Sequence, residues 1–184
     1  FFGCIVMTDM EFGNKLETIG NFAFFFCHAL RNINMPSLRR IGICAFPGCE
    51  GLLSAEFGED LETIEGGAFC DCTSLRRIAV PLKNNMIMRG VLPCRDELVT
   101  VDLVGGTHKT ISCLHLESWR SEMNEEVNRI NQILPDTPAI AKTAVIQEWI
   151  QSVISRMEHY RSEHQMVLKE AMTLLELALW KVNL

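Results

Sequence analysis

Three consecutive stretches, Leu16–Met35 (LETIGNFAFFFCHALRNINM), Leu38–Phe57 (LRRIGICAFPGCEGLLSAEF) and Leu61–Val80 (LETIEGGAFCDCTSLRRIAV), align one beneath another without a gap. All three read L-x-x-I-x-x-x-A-F-x-x-C-x-x-L. Each then closes on an alternating pair: Ile33/Met35, Ala55/Phe57 or Ile78/Val80. The register extends outward in both directions. Cys4, Cys27, Cys49, Cys72 and Cys94 recur at steps of 23, 22, 23 and 22 residues. Self-similarity at about 20–30 residues is the mark of a solenoid, because one such unit cannot bury its apolar side alone and must stack on its neighbours.

At the amino end, Phe1, Cys4, Met7, Met10 and Phe12 match the second half of the unit. A chain that opens in mid-repeat and without Met is expected to be a piece of a longer protein lacking earlier coils. At the other end the fourth cycle is degraded. Met86, Val91 and Cys94 are read as keeping register, Lys83 takes a leucine slot, and one extra residue shifts Leu98, Val101 and Leu103. Such decay is expected where a stack ends and its last coil faces something else.

The unit resembles the BspA-type leucine-rich repeat, roughly I-G-x-x-A-F-x-x-C-x-x-L-x-x-I-x-x-P. Ile41-Gly42, Ala45-Phe46, Cys49 and Leu52 match it, as do Ile64, Ala68-Phe69, Cys72, Leu75, Ile78 and Pro81. The resemblance covers about residues 1–104. The segment from about Leu98 to Leu184 is similar to the carboxyl-terminal region attached to such repeats in unicellular eukaryotes. The resemblance implies an architecture and no reaction.

Past the fourth cycle the pattern changes. Val99 to Leu103 alternates like a strand, Gly105-Gly106 marks a turn, and Lys109 to Leu114 offers a second strand, so a hairpin is expected to cover the open edge of the stack. The period then becomes helical through Trp119, Met123, Val127, Ile130 and Leu134. Pro135 to Pro138 stops that helix, with Thr137 and Pro138 suited to cap and open the next. From Ala139 to Val182 there is neither Gly nor Pro. Ile146, Ile150, Val153, Met157, Tyr160, His164, Val167, Ala171, Leu174 and Ala178 follow four- and three-residue steps without a slip, which predicts one long helix or coiled-coil strand. The expected fold class is α+β: a leucine-rich-repeat solenoid of about four coils over 1–104, with short parallel strands. A capping hairpin or linker follows over 105–116, then a helical hairpin with a long final helix over 117–184.

Composition agrees with a well-packed molecule and narrows the function classes. The chain has 184 residues, 48% of them hydrophobic, and a formal net charge of −6. An acidic chain without a cluster of Lys and Arg has the wrong sign for nucleic acid. Its most apolar tract, Ala171 to Leu184, is interrupted by Glu176 and Lys181 and is too short for a transmembrane segment. The cysteine column reads as packing, since buried thiols behave as small hydrophobes. Cys44, Cys70 and Cys113 lie off that column and are expected to be more exposed. Extra thiols and the lack of an N-x-S/T sequon lean toward a reducing compartment. Cys70-Asp71-Cys72 has the wrong spacing for a zinc pair. His28, His108, His115, His159 and His164 form no metal motif, and no phosphate loop or nucleophile elbow is present. Glu158-His159-Tyr160 is read as an ordinary helix surface. No catalytic residue, metal or cofactor is expected.

Two surfaces remain as candidates for a partner. Stacking the alternating strands makes an outward column of Asp9, Asn32, Ser54, Arg77 and Thr100, beside a second of Glu11, Asn34, Glu56, Ala79 and Asp102. A further ladder, Glu17, Arg39 and Glu62, alternates in charge and reads as register-keeping. The final helix widens its apolar face into Val167, Leu168, Ala171, Met172, Leu174, Leu175, Ala178 and Leu179. The preceding helix is too short to reach that stripe, so a second copy, another protein or a fold-back near His159–Glu163 must bury it. The expected function is a non-catalytic protein–protein interaction scaffold, with recognition on the repeats and association or self-association through the helices. A regulatory part of a larger enzyme and a surface adhesion protein are the alternatives.

Overall fold

The computed structural model describes residues 3–8, 10, 12–84, 86–87, 90–92, 98–104, 114 and 116–182, those from 176 onward by backbone alone. Each coil gives one short strand to each of two parallel ladders. The first joins β1 (Thr18–Ile19), β3 (Arg40–Ile41) and β5 (Thr63–Ile64); the second joins β2 (Asn32–Met35), β4 (Ser54–Phe57), β6 (Arg77–Val80) and β7 (Thr100–Leu103). Register follows the repeat: Ile33 lies beside Ala55, Ala55 beside Ile78, and Ile78 beside Val101. The inward residues of every coil fall into one buried cluster, because a period-two strand points alternate side chains to opposite faces. At the amino end Cys4, Met7, Met10 and Phe12 pack against that cluster in their expected slots.

The A-F-x-x-C segment makes the third side of the coil, and it too is hydrogen-bonded coil to coil. Phe24 N donates to Ala45 O at 2.8 Å, Phe46 N to Ala68 O at 2.8 Å, and Phe69 N to Val91 O at 3.0 Å. Threading this corner demands two left-handed residues per coil. One column holds Phe22, Cys44, Gly67 and Gly90; the other holds Gly3, Phe26, Gly48 and Asp71, all with φ between 46° and 69°. Half of these positions are glycine, which takes that conformation freely. For Phe22, Phe26, Cys44 and Asp71 it costs about 1–2 kcal/mol each, borne by the stacked core beneath them.

That core is regular. The rings of Phe24, Phe46 and Phe69 stack nearly parallel, with centroids 4.8 and 5.5 Å apart, matching the strand spacing of about 4.8 Å. The cysteine column does more than fill space. Cys49 Sγ donates to Phe24 O at 3.1 Å and Cys72 Sγ to Phe46 O at 3.0 Å, so each thiol satisfies a carbonyl of the coil before it. Cys27, Cys49 and Cys72 are buried and outside any disulfide. Cys44 and Cys70 are half-buried and outside any disulfide, and Cys94 and Cys113 lie outside the described residues.

The fourth cycle corrects one expectation. The extra residue enters before the first ladder's position, not after Cys94. Ile87 bridges Ile64, Gly90 occupies the left-handed slot of Gly67, and Phe69 N meets Val91 O as Phe46 N meets Ala68 O. Val91 therefore takes the alanine column. From Ile64 onward the step is 23 residues, which carries directly to Thr100 opposite Arg77.

Two antiparallel helices close this end of the stack, α1 (Glu117–Ile133) and α2 (Ala139–Val182), joined by a single tight turn at Leu134–Asp136. Of the capping hairpin or linker expected over 105–116, all but Leu114 and Leu116 lies outside the described residues. Along the described edge of the last coil the helices supply the polar partners. Asn131 Oδ1 accepts from Val101 N at 2.8 Å, Lys142 Nζ donates to Leu98 O at 2.7 Å, and Gln147 donates to the Ile87 carbonyl. A sheet edge left bare would carry unpaired backbone groups; here the helices meet them. Thr137 serves the other end of its turn from the one expected: its hydroxyl donates back to Ile133 O at 2.7 Å, closing α1.

Candidate interaction surfaces

The broad ladder sets the first candidate surface. Asn32, Ser54, Arg77 and Thr100 stand side by side in strand register, as do Asn34, Glu56, Ala79 and Asp102. Asp9 and Glu11 lie outside the described residues. The columns are laced together: Ser54 Oγ lies 2.8 Å from Asn32 Oδ1, Arg77 Nε is 2.6 Å from Asp102 Oδ2, and Arg77 Nη1 is 3.5 Å from Glu56 Oε2. Ala79 sits in register between Glu56 and Asp102, both held by Arg77, and its methyl is covered rather than exposed.

A third column on this face was not anticipated. Arg31, Leu53, Arg76 and Val99 each precede a strand residue and are all exposed. They are held coil to coil by Leu53 N to Arg31 O, Arg76 N to Leu53 O and Val99 N to Arg76 O, at 2.7–3.1 Å. The residue after the leucine recurs with the same period, and that signal was available. Alternation hid it, because the residue before the strand and the strand's first residue both turn outward. Arginine and aliphatic side chains thus alternate along the ribbon.

The narrow ladder faces elsewhere and carries ion pairs between coils. Arg39 pairs with Glu62 and Arg40 with Glu65, both across adjacent coils. On the corner, Phe22 and Phe26 are about half exposed and gather with Phe25 and His28; Phe25 and Phe26 centroids are 4.3 Å apart, Phe26 and His28 5.4 Å.

The helical pair supplies the second candidate surface. Its inner seam buries Met123, Val127 and Ile130 against Ile146, Trp149, Ile150 and Val153. Trp149 Nε1 donates to Glu126 O at 3.0 Å, and the buried Glu126 carboxylate accepts from Arg129 and Ser152 at 2.8 Å each, with Arg156 at 3.8 Å. At the seam's end Trp119 stacks on Tyr160, 5.0 Å between centroids, and the Tyr160 hydroxyl donates to Glu122. Burial first, then the Glu122 carboxylate, pushes the Tyr160 phenol above its ordinary range. Glu158-His159-Tyr160 is accordingly split: Tyr160 belongs to the seam, while exposed His159 lies 3.2 Å from Glu163 on its own helix.

Beyond Tyr160, α2 runs on unbroken and its described apolar side chains are exposed. Val167, Leu168, Met172, Leu174 and Leu175 are about half to two-thirds exposed, and Ala171 is exposed too. The fold-back near His159–Glu163 is not what the chain does; the helix passes straight through. Ala178 and Leu179 lie where the side chains are outside the described residues. Among the described residues no group of three or more His, Cys, Asp or Glu side chains could hold a metal ion. No helix there is long and apolar enough to cross a membrane.

The coil geometry and the repeat agree with a known family. The family model for the BspA type leucine rich repeat region matches residues 1–112, in six copies. The chain belongs to that family. No curated protein and no solved structure matches it. For this BspA-type repeat protein the match ends before α1, so the helical pair stands outside the family region.

Proposed function

We propose that the protein is a non-catalytic scaffold for protein–protein interaction, whose broad ladder recognises a partner and whose projecting α2 mediates association. Leucine-rich repeats commonly mediate protein interaction or adhesion, and stacked repeats present extended surfaces suited to it. The observation that carries the reading is the three-column ribbon, where exposed Leu53 and Val99 alternate with Arg31 and Arg76 beside the polar columns from Asn32 to Asp102. Exposed aliphatic groups bracketed by arginines suit a protein surface, since Arg is enriched at interfaces and a rigid sheet loses little entropy on binding. A helical region appended to repeats of this kind fits the second role.

The test compares two faces of one molecule. A partner captured by the unmutated chain should be lost at least tenfold by Leu53→Asp with Arg76→Glu. It should be retained by Glu62→Gln on the narrow ladder. Equal loss with both, in folded variants, overturns the ribbon as the recognition face.

A further inference from the structure

The uncovered half of α2 has a length and a polarity that select its occupant. From Arg161 to Val182 the helix extends 22 residues past the end of α1, roughly 33 Å at 1.5 Å per residue. The four-three stripe that forms the buried seam at Ile146, Ile150, Val153 and Tyr160 continues in phase through His164, Val167, Ala171 and Leu174. The seam is therefore one groove, filled by α1 up to Trp119 and open beyond it.

We propose that a second copy of this chain fills the open part, the two α2 tails pairing antiparallel about a twofold axis near residues 171–172. This rests on the association role proposed above for α2. Each tail lacks cover over a given length and offers a helix of that same length, which is the self-complementarity a twofold pair requires. Direction follows from α1. A parallel partner would run along the seam toward Tyr160, where Trp119 and Glu122 already sit, and the two chains would have to splay. An antiparallel partner instead ends beside Arg161, where α1 begins. Its tail and α1 then follow one another along the groove in the same direction, so the helix dipoles meet head to tail. The apolar arc is broad enough for such a pair: Leu168 and Leu175 flank the stripe and, about an axis at 171–172, stand opposite each other across the dimer.

Light scattering on the unmutated full chain should give twice the 20.8 kDa monomer mass at micromolar concentration. Leu168→Glu with Leu175→Glu places like charges opposite in either orientation and should weaken association at least a hundredfold. Leu168→Lys with Leu175→Glu places unlike charges opposite only when the tails are antiparallel. It should associate at least tenfold more tightly than the like-charge pair. Because Leu168 and Leu175 are exposed in the single chain, circular dichroism and the thermal transition should show both variants folded. A monomeric unmutated chain overturns the pair and leaves association to a different protein; a dimer that both variants weaken alike overturns its antiparallel arrangement. A dimer that survives Leu174→Glu with Leu175→Glu overturns the association role of α2 itself.

Discussion

The two halves of α2 carry one pattern and meet opposite fates. From Ile146 to Tyr160 the stripe is almost wholly buried, Tyr160 being 5% exposed; from Val167 to Leu175 it stands in water, Leu174 being 67% exposed. Residue types, spacing and helical backbone are continuous across the boundary. What changes is the neighbour. The solenoid's last coil and α1 reach as far as Trp119, and there the cover ends. The repeats show the same rule from the other side, since each coil is covered by the next and its core column stays buried from Phe24 to Phe69. Hydrophobic period specifies which face wants burial; only a partner of sufficient length supplies it.

The contrast can be broken most forcefully where burial is complete. Phe46→Ala in the ring stack and Trp149→Ala in the seam should each cost about 3–5 kcal/mol, by lost transfer energy and the cavity left behind. Denaturant titration measures both, and a loss below about 1 kcal/mol at Phe46 would mean that the stack is not what holds the coils. At the junction, Lys142→Met keeps the aliphatic stem but leaves the Leu98 carbonyl without its donor, for an expected cost of about 1–3 kcal/mol. A neutral result would show that water reaches that edge and that the helices merely rest on it.

The thiol column gives a pH test. Burial pushes the Cys72 thiol well above its ordinary range, so the unfolded chain releases this proton at a lower pH than the folded one. The stabilisation is intact below the free thiol range near about 8.5. Above it, stability should fall by up to about 1.4 kcal/mol per pH unit from this group, because the native state then binds more protons than the unfolded state. Native alkylation should spare Cys27, Cys49 and Cys72 while reaching Cys44 and Cys70; equal labelling would place the column outside the core. On the ribbon, Arg77→Ala removes an exposed pair of contacts to Asp102 and Glu56 and should cost only about 0.2–1 kcal/mol. Smallest of all, Leu174→Ala should change the stability of the monomer by less than about 0.5 kcal/mol, as for any exposed site. A larger effect on the dilute chain would reveal intramolecular cover.

Much of the architecture was legible because repetition multiplies a weak signal. One L-x-x-I is ordinary; three in register identify the inward columns, the ladder partners and the outward face from Asn32 to Asp102. Less was legible where the local pattern conflicts with the stack. The column from Arg31 to Val99 was obscured because the residue before the strand also points outward. The slip in the fourth cycle was misplaced because Met86 and Ile87 are both apolar, and only pairing with Ile64 chooses between them. Phe22 and Phe26, large and apolar, stand about half exposed at left-handed corners that no reading of the repeat singled out, since hydropathy carries no record of the sign of φ.

The sequence by itself determined the coil, through its 22–23-residue period, and the long final helix, through an unbroken heptad without Gly or Pro. Both are local rules read along one dimension: neighbours in the stack are neighbours in the repeat. Tertiary structure alone decided how the stack is closed and where cover for α2 stops. Those outcomes depend on contacts such as Asn131 with Val101, Lys142 with Leu98 and Trp119 with Tyr160. Such pairs are 30 to 44 residues apart with no period linking them, and only the packed chain brings them within reach.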